Sequence, residues 1–258
     1  MIALQAVATE SLKLKRTLAF WLALLAPLLV VALQVLMAYD RTLYIAEGEN
    51  PWRMYAQGAL VIWSLLMLPL FVTLETALVA QLEHANGGWK LLYALPVPRW
   101  CIYLGKQFAS MALLALSWAM LLVWVVLGGW LLNLVRPELL GGWPVPWKDL
   151  LIWASMAYLC SWLLISIHTW VGLRFKSFIV ALGFGIAMTV IGVVVINHEL
   201  ASYYPWTMTT LVANGFIEGD TMLNLGRDMP ITELLCGALG GVAVALLGGW
   251  DVSRREAL

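Results

Sequence analysis

"TLAFWLALLAPLLVVALQVLMA", Thr17 to Ala38, runs for twenty-two residues without a charged side chain. An α-helix rises about 1.5 Å per residue and a bilayer core is about 30 Å thick, so a run of this length crosses it. A lone strand there would leave its backbone amides and carbonyls unpaired, so the segment is predicted as a helix. Lys13, Lys15 and Arg16 precede it in the manner of a signal peptide. The apolar stretch is longer than the roughly 7 to 15 residues of a signal core and has no small-residue cleavage site, so it reads as an uncleaved span.

The same reading carried outward finds five further runs: Gly58 to Ala80, Gln107 to Val135, Leu150 to Val171, Phe178 to Asn197 and Glu233 to Trp250. The predicted fold class is all-α integral membrane, with six transmembrane helices in one domain over residues 1–258. Composition agrees. Of the 258 residues 62% are hydrophobic and 12% charged, against about 25% charged in soluble domains.

Lysines and arginines set the orientation. With the N-terminus inside, Lys13, Lys15, Arg16, Lys90, Arg99, Lys106, Arg174, Lys176, Arg254 and Arg255 are cytoplasmic. Arg41, Arg53, Arg136, Lys148 and Arg227 are outside. This bias satisfies the positive-inside rule and the reverse orientation violates it, so both termini are expected in the cytoplasm. The long outer connection, His198 to Thr232, is expected to fold partly against the span mouths.

Before the first span, Leu4, Val7, Ala8 and Leu12 recur at helical spacing opposite Gln5, Thr9, Lys13 and Arg16. This is either an amphipathic elbow helix lying on membrane lipid or a plain extension of the span.

Between the second and third spans stands "EHANGGWKLLYALPVPRWCIYLGK", Glu83 to Lys106. Asn86 can cap a helix starting at Gly87 or Gly88. Trp89, Leu92 and Leu95 then share a face, with Lys90 and Ala94 directed elsewhere. Pro96 and Pro98 end the helix, since proline lacks an amide donor and restricts the residue before it. On these grounds alone the segment is either a short surface helix joined to two spans or an interfacial loop with a tryptophan at headgroup depth.

Several chemistries are excluded or weak. Cys101, Cys160 and Cys236 form no C-x-x-C and indicate neither zinc nor a disulfide framework. No basic-aromatic pattern suits nucleic acid. The only Gly-Lys, Gly105-Lys106, has Trp100 and Gln107 where a phosphate-binding loop needs glycine and a hydroxyl, so no ATPase is expected in this chain. Ser161, Ser166 and His168 share the fourth span, but their helical spacing keeps a nucleophile and base from meeting. Met208, Met222 and Met229 are too scattered for a copper site.

Glu75 is the one acid set well inside a span. Such a residue costs about 2.5 to 3.5 kcal/mol at mid-helix and points to a function, here proton coupling or a structural relay. Gly237, Gly241, Ala245 and Gly249, with Ala181, Gly185 and Thr189, form small-residue ridges suited to close helix packing. The outer segments are acidic, a field that would draw cationic solutes.

The spacing E-H-x-N-G-G-W-K-L-L-x-x-L-P-V-P-R-x-x-I-Y-L-G-K, with E-S-L-K-L-K-R-T before the first span, resembles the permease subunits of ABC type-2 exporters, especially the lantibiotic and bacitracin immunity branch. Glu83, Asn86, Gly88, Trp89, Lys90, Leu92, Leu95, Pro96, Arg99, Tyr103 and Lys106 carry the match. The resemblance implies a coupling helix between spans two and three, docked on a separate ABC ATPase subunit that holds the ATP and magnesium. Trp89, Leu92 and Leu95 would fill a groove of that subunit, with Asn86 capping the helix. Glu83 and Lys90 would sit at its charged margin, and Arg99 would steady the exit. It further implies a second permease chain, identical or homologous, in the inner membrane of a prokaryote. Trp63, Phe71, Phe184 and Met188 would then face an amphipathic cargo, with an antimicrobial peptide favoured. A lipid-linked glycan or an ion is the alternative cargo, and a non-transporting scaffold or sensor the alternative function.

Overall fold

The computed structural model describes residues 17–40, 50–84, 98–215 and 230–254. These residues are helical with short connections, and no strand occurs among them. Six helical stretches are long and apolar enough to cross a membrane. The first is α1, Leu18–Asp40. The second is built from α2, Pro51–Ile62, a π-helical turn at Trp63–Met67, and α3, Leu68–His84. Then come α4, Arg99–Val135, and a four-residue α5, Pro137–Leu140. The fourth and fifth spans are α6, Trp147–Arg174, and α7, Phe178–Val195. A 3₁₀ turn at Glu199–Tyr203 leads into α8, Pro205–Asn214, and the last span is α9, Ile231–Arg254.

Local chemistry fixes the boundaries. The Asn50 side chain accepts from the Trp52 amide at 3.0 Å and Pro51 occupies the first turn, where its missing amide costs nothing. At mid-span Pro69 has no N–H to give the carbonyl four residues back. The ladder adjusts just before it, with the Leu68 amide reaching back to Trp63 O, an i to i−5 bond. Ser177 caps α7 by accepting from the Val180 amide at 3.4 Å.

Two spans begin well before the hydropathy runs indicate, by seven and eight residues. The third starts at Arg99 rather than Gln107, and Lys106, read in the sequence as a flank of the membrane, is fully buried within the helix. The second starts at Pro51 rather than Gly58, because Arg53 pairs with Asp149 of α6 and Gln57 donates to Asn214 O at 2.8 Å. Polar side chains that find partners do not interrupt a span.

The connection after span five, expected to cover the span mouths, goes deeper than that as far as residue 215, and its residues 216–229 lie outside the described residues. In α8 every residue from Trp206 to Asn214 is buried, and the helix packs on α6, α2, α7 and α9. The Trp206 ring centroid lies 5.9 Å from Phe184 and 5.5 Å from His168, both well inside their spans. This segment therefore re-enters the bundle.

Around this core the spans present aliphatic side chains outward, among them Leu25, Leu29, Ile179, Val194, Leu239 and Leu246. Exposed aromatics gather near the span ends: Tyr39, Trp143 and Trp147 at one, Trp100, Phe175 and Trp250 at the other. That is the belt expected where hydrocarbon meets headgroups. The chain is a multi-pass membrane protein.

Candidate functional site

The polar segment between spans two and three is framed by helices on both sides. α3 runs to His84, and α4 begins at Arg99 directly after Pro98, which stands at its N-cap. Glu83 lies in the last turn of α3, and its side chain is outside the described residues, as are Asn86, Trp89, Lys90, Leu92 and Leu95. The N-terminal arm, residues 1–16, is outside them too. Arg99 is partly buried and engaged in contacts. The segment is thus joined to one span that ends beside it and to another whose 37-residue helix continues across the bundle. At 1.5 Å per residue that helix is about 55 Å long.

Behind these two helix ends lies a polar seam. Glu75 of α3 and Lys106, Gln107 and Ser110 of α4 are all buried, as are Ser161 and Ser166 of α6. Gln107 Nε2 donates to Ser166 Oγ at 2.9 Å, tying α4 to α6. The Tyr158 hydroxyl donates to Met111 O at 3.2 Å across the same pair. Ser110 faces the Glu75 carboxyl without reaching hydrogen-bond geometry, and both carboxylate oxygens lack a partner. The seam joins spans two, three and four on the side that leads to the polar segment.

Among the described residues Ser161, Ser166 and His168 form no nucleophile–base pair with one another. Ser161 Oγ donates to its own helix, at 3.0 Å to Ala157 O and 2.7 Å to Tyr158 O. His168 faces Thr73, at 3.5 Å from Oγ1, together with Phe184 and Trp206. Met208 is buried in α8, whereas Met222 and Met229 lie outside the described residues. Among the described residues no group of three or more histidines, cysteines or acids could hold a metal.

Of the four residues expected to meet cargo, Trp63 and Phe71 are buried and Phe184 and Met188 partly buried. Trp63 is wholly buried at the π turn, against Phe71 at 5.8 Å and Trp118 at 6.4 Å between ring centroids. Phe184 packs edge-on against His168 and Trp206, and Met188 O accepts from the Tyr204 hydroxyl at 2.8 Å. Spans two and five pack directly, Gly185 meeting Thr73 so closely that a Cβ has no room. Sequence reasoning missed Trp206, Gln57 and Asn214. Pro205 followed by nine residues without charge was the available signal for a buried helix.

At the opposite end of the bundle, Arg136 bridges two spans. Its Nη1 donates to Tyr39 O at 2.7 Å and its Nε to Glu138 Oε1 at 2.6 Å. The hydrogen bond from Arg136 holds the Glu138 carboxyl below its ordinary range.

Compared with known proteins, residues 6–193 match a family model described as an ABC-2 family transporter protein. No curated protein matches the chain. The matched region runs from the N-terminal arm nearly to the end of α7 and includes the polar segment.

Proposed function

The chain belongs to the ABC-2 transporter family, a membrane component that works with an ABC ATPase subunit, and from that premise we propose that residues 83–99 are its coupling segment. The observation that carries this reading is the junction at Pro98 and Arg99, where the helix of span three begins directly after Pro98. Closure of the ATPase around ATP displaces the segment, and α4 passes the displacement to α6 through Gln107 and Ser166. Alternating access follows when α3 and α4 shift against α6 and the route through the membrane opens outward.

In this reading Trp89, Leu92 and Leu95 anchor the ATPase groove. A buried aromatic anchor dominates such contacts. Glu83 and Lys90 border the groove. Two copies of the chain, or this chain and a homologue, form the exporter in a prokaryotic inner membrane, with both termini cytoplasmic. The cargo is an amphipathic antimicrobial peptide, in keeping with the resemblance to immunity permeases and with the acidic residues of the outer segments. Trp63 and Phe71 become accessible to it, and Phe184 and Met188 more so, when spans two and five separate.

The test is ATPase activity of the reconstituted complex against a panel of cargo. Stimulation by cationic amphipathic peptides supports the assignment. Stimulation by a lipid-linked glycan with none by peptides replaces the cargo, and stimulation lost on Trp89→Asp locates the coupling.

A further inference from the structure

Glu75 lies halfway along α3 and is fully buried, and neither carboxylate oxygen has a hydrogen-bond partner. The groups around it can be named element by element. On α4 Ser110, whose hydroxyl is also unpartnered, faces it, and Lys106 and Tyr103 follow one and two turns earlier along the same helix. Lys106 has contacts of its own, and neither Glu75 oxygen accepts a hydrogen bond from it. From α6 come Tyr158, committed to Met111 O, and His168, turned toward Thr73, Phe184 and Trp206. α7 carries no titratable side chain, and those of α1, Tyr39 and Asp40, are at its far end. Among the described residues no cation donates a hydrogen bond to the carboxyl.

An isolated carboxylate in such surroundings costs far more than a neutral acid, and a group so placed takes up a proton rather than hold the charge. We propose that Glu75 is a proton-binding site, loaded while α3 and α4 are packed as here and unloaded when they part and admit water. On unloading, the carboxyl O–H bond breaks and the proton passes to water; on repacking it is taken back. The loaded state rests on that burial and on the two unpartnered oxygens. The unloading step rests on the exporter reading, because α3 and α4 are the helices that leave the coupling segment.

The experiment is infrared difference spectroscopy on the full-length protein, co-purified with whatever ATPase accompanies it and reconstituted in lipid vesicles, wild type against Glu75→Gln. The expected result is a protonated-carboxyl C=O band in the wild type at neutral pH, absent from the variant, and diminished when ATP is trapped with a non-hydrolysing ATPase. Ser110→Ala keeps Glu75 and is expected to shift that band, which preserves the test if Glu75→Gln does not insert. Only an ionised-carboxylate signal from Glu75 overturns the site. A protonated band that ATP trapping leaves unchanged overturns the unloading step. Purification without any ATPase defeats the exporter reading while leaving the band to be read.

Discussion

Gly237 of α9 lies against the backbone of Cys160 of α6 so closely that a Cβ would stand 2.5 Å from Cys160 Cα and 2.6 Å from its carbonyl oxygen. Gly241, one turn on, meets the backbone of Trp162 and Leu163 in the same way. Backbone cannot turn aside as a flexible side chain can, so Gly237→Ala is expected to cost about 1 to 3 kcal/mol of stability by overpacking. Gly183, with nothing within 4 Å of its notional Cβ, is the control, and Gly183→Ala is expected to be neutral or better. Thermal unfolding in lipid nanodiscs distinguishes the two.

Arg53 and Asp149 join spans two and four at the end of the bundle read as outside. Their side chains are 44% and 26% exposed, so solvent screens the pair. A double-mutant cycle with Arg53→Ala and Asp149→Ala is expected to give a coupling of about 0.2 to 1 kcal/mol. Repeating it at high salt shrinks that coupling, since the screening length falls to about 3 Å at 1 M.

How far the fold could be read from sequence is clearest at the span ends. Apolar length alone located six crossings, because in lipid the backbone has no other way to pair. The starts of spans two and three were hidden, since hydropathy treats Arg53, Gln57 and Lys106 as breaks, whereas each meets protein groups that sequence cannot show. α8 was hidden for another reason. At ten residues it is too short to cross, and its burial comes from four surrounding helices. Glu75 was legible as an isolated acid in an apolar run, but its seam with Ser110, Gln107 and Ser166 exists only once three spans are side by side.

On the side of the polar segment between spans two and three, Asp251 accepts from Trp170 Nε1 at 2.9 Å and from Arg174 Nη1 at 3.1 Å, pinning α9 to α6. Asp251→Ala removes both acceptors and is expected to destabilise by roughly 1.5 to 3 kcal/mol, toward the low end because Arg174 is half exposed. Asp251→Asn keeps an acceptor for Trp170 and is expected to lose less. Chemical denaturation of both variants, monitored by tryptophan emission, checks the order.

Arg136 makes a prediction about pH. The Glu138 carboxyl it holds down is exposed, and a depressed acid supports the fold above its unfolded value and loses that support as pH falls through the folded one. Acidification or Glu138→Gln is therefore expected to leave α1 in place, because the bond from Arg136 to Tyr39 O does not titrate. Arg136→Ala is expected to free that end of α1, read as faster amide exchange at Tyr39 and Asp40.

The central claim, that residues 83–99 couple this permease to an ATPase, is tested most directly by affinity purification from native membranes in mild detergent, with mass spectrometry of the co-purifying chains. The account predicts an ABC ATPase subunit with the wild type and its loss with Trp89→Asp, while the variant remains in the membrane at normal levels. Equal recovery of the ATPase with Trp89→Asp would contradict the coupling role of the segment.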